Sequence, residues 1–207
     1  MTIRAVVFDF GGVLFDWSPQ HLYRKLIADD VERQWFLDTI CTQDWNTEQD
    51  AGRSLAEATR TLVAQYPEHT TLIQAYYERW PEMLRAELPE GVAILEALHQ
   101  VEMPLFGLTN WSSETFPYAR ANYPFLKRFR NILVSGEVKL IKPDPAIYHA
   151  SLSQVREHFP DIQASEVVFI DDVAGNIEAA IALGWQGIHH VSAERTAARL
   201  RELGVAF

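Results

Sequence analysis

Ala5-Val-Val-Phe-Asp-Phe-Gly-Gly-Val13 is the stretch whose reading decides the fold. Residues 5–8 are apolar without alternation, which suits a parallel β-strand covered on both faces rather than one open to water on one side. The run stops on an acid, Asp9, and Gly11-Gly12 follow closely. Paired glycines usually mark a tight turn, and they also let backbone N–H groups come close to a bound anion.

Four further short runs have the same character: 105–108, 132–134, 167–170 and 187–191. Helical spacing separates them. Val92, Leu95 and Leu98 form a face after Pro89, and Ile177, Ala180 and Ile181 form another that closes at Gly184. A last helix follows Ser192 and ends at Leu203-Gly204. Strand and helix alternate from about residue 90 onward, so the expectation is an α/β chain with a Rossmann-like, doubly wound parallel sheet.

The interval 16–88 reads as helices only. Ser18-Pro19 opens one with Leu22, Leu26 and Ile27, and Val31, Trp35, Phe36 and Ile40 continue or follow it. Ser54-Leu-Ala-Glu57 has the capping-box pattern ahead of Leu55, Leu62, Val63 and Tyr66. Leu72, Ile73, Tyr76 and Trp80 form a final stripe, broken by Pro81. The expected division is a core of residues 1–15 and 89–207 with an all-helical insert at 16–88. On pattern alone, a cap over a site and an enlarged crossover explain the insert equally well.

Composition limits the function. The chain has 207 residues, 48% hydrophobic and 22% charged, with a formal net charge of -10. That charge argues against nucleic acid or an anionic membrane as partner. The single cysteine, Cys41, excludes an internal disulfide and suits a reducing compartment. No signal-peptide pattern and no bilayer-length apolar run is seen, so the expected location is the cytoplasm. Oligomeric state has no signature in the sequence.

Ligands of doubly wound sheets bind beyond the carboxyl ends of the strands. Those ends carry Asp9, then Thr109-Asn110-Trp111-Ser112, then Lys139 and Lys142-Pro143-Asp144-Pro145, and finally Asp171-Asp172 with Asn176. Clustered carboxylates repel one another and call for a cation, and an oxygen-only set favours magnesium over zinc. A lysine beside Asp9 would help neutralise a phosphate and keep that carboxylate ionised as a nucleophile. Singly, each feature is ordinary: a strand-end Asp is more often a turn former, Asp144-Pro145 reads as a helix start, and Asp171-Asp172 reads as a cap.

The ordered set resembles the four short motifs of the haloacid dehalogenase superfamily of hydrolases, most of which are phosphatases, and the resemblance spans the whole chain. It implies a helical cap between the first and second motifs. It also implies that Asp9 is the nucleophile, forming an aspartyl-phosphate, and that Thr109 and Asn110 bind phosphate. Lys142 would balance charge on Asp9 and on the phosphoryl group. Magnesium would be held by Asp9, the Gly11 carbonyl, Asp171 and Asp172. The implied partner is a small phosphorylated metabolite, and the start of the chain together with Tyr123-Pro124 resembles bacterial sugar-phosphate phosphatases of the α-D-glucose-1-phosphate type.

One position departs from the family pattern. The usual phosphatase carries a second Asp two residues after the nucleophile as general acid and base, and here that position is Gly11. Three readings follow: a phosphatase in which another group takes the role, a 2-haloacid dehalogenase, or a phosphate-binding regulatory protein with little turnover. Dehalogenases also lack the second Asp, and Tyr148 resembles one of their features, but they replace the metal-binding acids that Asp171-Asp172 keeps. Specificity is expected from Trp45, Glu48 and Arg53 in a polar interhelical stretch, with Trp17 and Trp111 as stacking surfaces. His189-His190 is read as no metal site, because neighbouring strand residues face opposite ways.

Overall fold

The computed structural model describes residues 2–207, so Met1, the first residue of the expected core, lies outside them. Seven strands form: β1 (Ala5–Phe8), β2 (Phe15–Trp17), β3 (Leu84–Glu87), β4 (Leu105–Thr109), β5 (Asn131–Val134), β6 (Val167–Asp171) and β7 (Gln186–His189). Five of them make one sheet in the order β5-β4-β1-β6-β7, with every pairing parallel. β1 is central, and the order changes direction there, which is where such sheets open a crevice.

Burial of both faces explains the unbroken apolar runs. Val6 and Phe8 of β1, with Val168 and Ile170 of β6, point into one core, against Leu95 and Leu98 of helix α6 (Pro89–Gln100). Ala5, Val7, Val167 and Phe169 point into a second core with Ile147, Tyr148 and Val155 of one helix and Ile177 of another. The helices after α6 are α7 (Phe116–Asn122), α8 (Ser135–Val138), α9 (Pro145–His158), α10 (Ala174–Ala182) and α11 (Ala193–Glu202). Their starts and stops follow local chemistry. Asp144 accepts from the Ala146 N–H with Pro145 at the first helical position, Ser192 accepts from Arg195 N–H, and Gly184 closes α10 at φ +87.

The interval read as helices only contains five helices: α1 (Pro19–Tyr23), α2 (Asp30–Thr39), α3 (Gln43–Asp50), α4 (Leu55–Gln65) and α5 (Thr70–Glu78). Three corrections apply. β2 and β3, at the two ends of the interval, pair antiparallel as a ribbon with a register shift at Asp16/Trp17. Three of the four β3 residues are exposed, so no apolar run marked it. The polar interhelical stretch around Trp45 and Glu48 is itself helical through Asp50, as α3, started by Thr42, whose side chain accepts from Trp45 N–H. Val31 and Trp35, expected on an apolar stripe, are largely exposed, while Phe36 and Ile40 of the same segment are buried. No helix of the described residues is long and apolar enough to cross a membrane.

Candidate active site

A cleft of about 340 Å³ lies between the carboxyl edge of the sheet and the helical segment. Asp9, Gly11, Gly12, Asn110, Lys142 and Asp172 form its floor. Asp9 leaves β1 with its N–H donating to Ile170 O at 2.8 Å, so the neighbouring strand fixes its backbone. Lys142 sits between two carboxylates: its Nζ is 2.8 Å from Asp9 Oδ1 and 2.7 Å from Asp171 Oδ2. The lysine is 4% exposed and Asp171 0%, so this ion pair is shielded from salt and water.

Lys142 is positioned from behind by Asn110. The Asn110 side chain donates to Lys142 O at 3.0 Å and accepts from Lys142 N–H at 2.9 Å. That two-way clamp fixes the Asn110 amide against the Lys142 backbone. Thr109 ends β4 and is 1% exposed, beneath the cleft rather than on its surface. Asp171 is held by the Val173 N–H at 2.7 Å and by Asn176 Nδ2 on both oxygens, at 3.1 and 3.0 Å. Tyr148 donates its hydroxyl to Asn176 O inside the second core, so it packs rather than faces the cleft.

The electrostatics follow from burial and mutual repulsion. Desolvation pushes the Asp9 carboxyl up to about 7, with the Lys142 ammonium pulling it back down and Asp171 adding to the rise. Burial works to lower the Lys142 ammonium, but Asp9 and Asp171 together outweigh it, so it is raised and keeps its proton. Asp172 is raised by burial and by Asp171. Carboxylate oxygens of Asp9, Asp171 and Asp172 all lie within 4.8 Å of one another. An oxygen-only trio at that separation fits a small hard cation, which would relieve the repulsion that lifts Asp9 and Asp172. Gly12 belongs to the same geometry: its φ is +66, and a Cβ there would fall 2.1 Å from Asp172 Oδ2. At Gly11 a Cβ would meet nothing within 4 Å.

The roof differs from the sequence reading. Trp17 and Trp111 line the cleft. Trp111 is held by its N–H to Ser135 Oγ at 2.9 Å and its ring N–H to Thr115 Oγ1 at 3.0 Å. Trp45, Glu48 and Arg53 are not among the lining residues. Trp45 packs against Tyr76 and Tyr77 at ring separations of 5.1 and 5.3 Å, and Glu48 faces Arg53 at 3.5 Å. Because the stretch is helical, its other side meets the cleft: Gln43, Asn46, Thr47 and Asp50, joined by Tyr77 and Trp80. Positions 43, 46, 47 and 50 form one stripe of a 3.6-residue repeat, a signal present in the sequence once the stretch is taken as helix. Lys139 stands at the end of α8 with φ 58, outside the lining set. His189 bonds to Asp172 O and His190 to Thr196 Oγ1, on separate partners.

Comparisons with known proteins agree with this layout. The family model of haloacid dehalogenase-like hydrolases matches residues 3–184. The chain is 26% identical over 202 residues to a sesquiterpene phosphatase of Aspergillus oryzae, covering 98% of this chain and 97% of that protein. A magnesium complex of a HAD-family enzyme from Bacteroides thetaiotaomicron superposes with a TM-score of 0.66 at 20% identity, over 91% of this chain and 93% of that one. An L-2-haloacid dehalogenase of Xanthobacter autotrophicus superposes at 0.60 with 19% identity, over 100% and 85%. At these identities the two structures speak to fold alone. With a family model covering most of its length and a five-stranded parallel sheet carrying the motif residues at its carboxyl edge, the chain belongs to the haloacid dehalogenase-like hydrolases.

Proposed function

We propose that the protein is a magnesium-dependent phosphomonoesterase that cleaves a small phosphorylated metabolite through an aspartyl-phosphate on Asp9. The observation that carries this is the Lys142 ammonium held between Asp9 and Asp171 at the cleft floor, beside a three-carboxylate cluster. Asp9, Asp171, Asp172 and the Gly11 carbonyl would hold magnesium, which supplies charge neutralisation for the phosphoryl oxygens. Lys142 pulls Asp9 toward its ionised form and offers its remaining N–H to a phosphate oxygen. Asp9 Oδ then attacks phosphorus in line with the leaving oxygen, and water later releases phosphate from the acyl-phosphate.

Residues 16–88 act in this reading as a cap. Trp17, Trp80 and Trp111 offer apolar faces, and Gln43, Asn46 and Thr47 offer hydrogen bonds, to the organic part of the substrate. That combination suits a sugar phosphate, whose C–H faces stack while its hydroxyls bond. The relative in Aspergillus oryzae supports phosphatase chemistry and widens the panel to lipophilic phosphates. Trp45, Glu48 and Arg53 then serve the cap from behind, and Thr109 supports phosphate binding from the end of β4.

The test is hydrolysis of an aryl phosphate with and without magnesium. Magnesium-dependent turnover that falls at least a thousandfold in Asp9→Asn is expected. Undiminished activity in chelator, or in that variant, overturns the mechanism. Dehalogenation is disfavoured by the retained Asp171-Asp172 pair, and halide release from a 2-haloacid without added metal would reinstate it.

A further inference from the structure

We infer that Asp50, at the end of α3, is the general acid and base of this active site, in place of the carboxylate that Gly11 lacks. The inference rests on the phosphomonoesterase reading and completes it. In-line attack by Asp9 places the leaving oxygen on the far side of phosphorus, toward the wall built by the helical segment. Among the residues lining the cleft there are three carboxylates: Asp9, Asp172 and Asp50. Asp9 is committed as nucleophile and Asp172 to the metal cluster, so Asp50 is the one left free to move a proton. It belongs to the helical segment that walls the cleft opposite Asp9. At Gly11 itself nothing stands in for the missing side chain: no atom beyond its chain neighbours lies within 4 Å of where a Cβ would be.

Asp50 is held as a working group would be. A chain of hydrogen bonds, each donor to the next acceptor, ends on its carboxyl. Arg53 Nε donates to Gln49 Oε1 at 2.7 Å, and Gln49 Nε2 donates to Tyr77 OH at 2.8 Å. Tyr77 OH then donates to Asn46 Oδ1 at 3.1 Å, and Asn46 Nδ2 to Asp50 Oδ2 at 3.2 Å. Its main chain is tied to the core, where Ser135 Oγ donates to Asp50 O at 2.6 Å. Burial pushes the carboxyl up to about 7, moderated by the Ser112 backbone N–H, so both protonation states are accessible near neutrality.

The step balances. Asp9 Oδ forms a bond to phosphorus as the bond from phosphorus to the leaving oxygen breaks. The electron pair stays on that oxygen, which takes the Asp50 proton and departs as an alcohol. In the second half, water attacks the acyl-phosphate and gives its proton to the Asp50 carboxylate. Asp9 leaves as carboxylate, and inorganic phosphate is released.

Leaving-group dependence tests this. An alkyl phosphate needs its leaving oxygen protonated, whereas 4-nitrophenolate departs with little help. Asp50→Asn, of the same shape, is expected to lower kcat/KM, which ends at departure of the alcohol and so leaves out the later hydrolysis shared by both substrates, by roughly a hundredfold or more on an alkyl phosphate, and by less than tenfold on 4-nitrophenyl phosphate. The ratio is read within one preparation, so a partly misfolded sample cannot mimic it. Equal losses on both substrates, or no loss, would overturn the role of Asp50 and leave the phosphatase reading intact. A wild-type protein that hydrolyses neither phosphate defeats the underlying reading instead.

Discussion

Asp50 carries a thermodynamic signature separate from its chemistry. Its carboxyl is raised to about 7 in the folded protein by burial, whereas an unfolded chain gives it an ordinary value near 4. The folded state therefore binds the proton more tightly, and stability falls as pH rises from about 4 to about 7. Below that window the group is protonated in both states and contributes nothing; above it, the full penalty is present. Of the titratable and charged neighbours, Tyr77 is pushed far up and stays neutral, and Arg53 reaches Asp50 only through the amide chain. Allowing for the partial exposure of the carboxyl, the penalty is on the order of 2 kcal/mol, or about 4–8 °C in a domain of this size. Asp50→Asn should thus melt higher than wild type at pH 8 and about equally at pH 4. Thermal melts at the two pH values check it, and a variant that melts lower at pH 8 would contradict the raised carboxyl. A stabilising substitution that costs activity is what a residue retained for function produces.

At the scale of elements, α3 and α5 form one device. Tyr77 of α5 joins Gln49 to Asn46 across the two helices, so its hydroxyl transmits the orientation of one amide to the other. Tyr77→Phe keeps the ring that packs on Trp45 and removes the hydroxyl. The expected result is a fall in kcat/KM on alkyl phosphate of about three- to tenfold, smaller than that of Asp50→Asn, with the aryl phosphate less affected. An equal drop on both substrates would mean that the hydroxyl serves packing alone. These two helices also show what was legible beforehand. The sheet could be read because each strand is buried on both faces and leaves an unbroken apolar run, as 5–8 and 167–170 do. The floor of the site could be read because its residues sit at strand ends, where position along the chain fixes position in space. The roof obeys another rule. Which side of α3 meets the cleft depends on its rotation about its own axis, set by Trp45 burying itself against Tyr76 and Tyr77. A polar stripe at 43, 46, 47 and 50 is also what any solvated helix shows, so Trp45, Glu48 and Arg53 attracted attention and the working face did not. The β2–β3 ribbon was hidden for a similar reason: its strands are three and four residues long, and β3 is mostly exposed.

For the whole molecule, the balance of charge decides how a protein of formal net charge -10 takes an anionic substrate. Among the residues lining the cleft, Lys142 is the one cation, and it is already shared between Asp9 and Asp171. A phosphate dianion would enter a site whose three carboxylates outnumber its lysine, so in the proposed reading a bound divalent cation tips the local balance in favour of the substrate. Magnesium should consequently stabilise the folded protein in the absence of substrate, by about 2.7 kcal/mol at a hundred times its dissociation constant. Asp172 is the most exposed member of the cluster, so Asp172→Asn removes a ligand charge with little disturbance to the core. That variant should melt within a few degrees of wild type in chelator, yet need at least about tenfold more magnesium for the same rise in melting temperature. Titrating magnesium against melting temperature for both proteins separates the cases. An undisturbed magnesium response in Asp172→Asn would remove this carboxylate from the metal site, and no response in either protein would mean that the cluster relies on Lys142 alone to offset its charge.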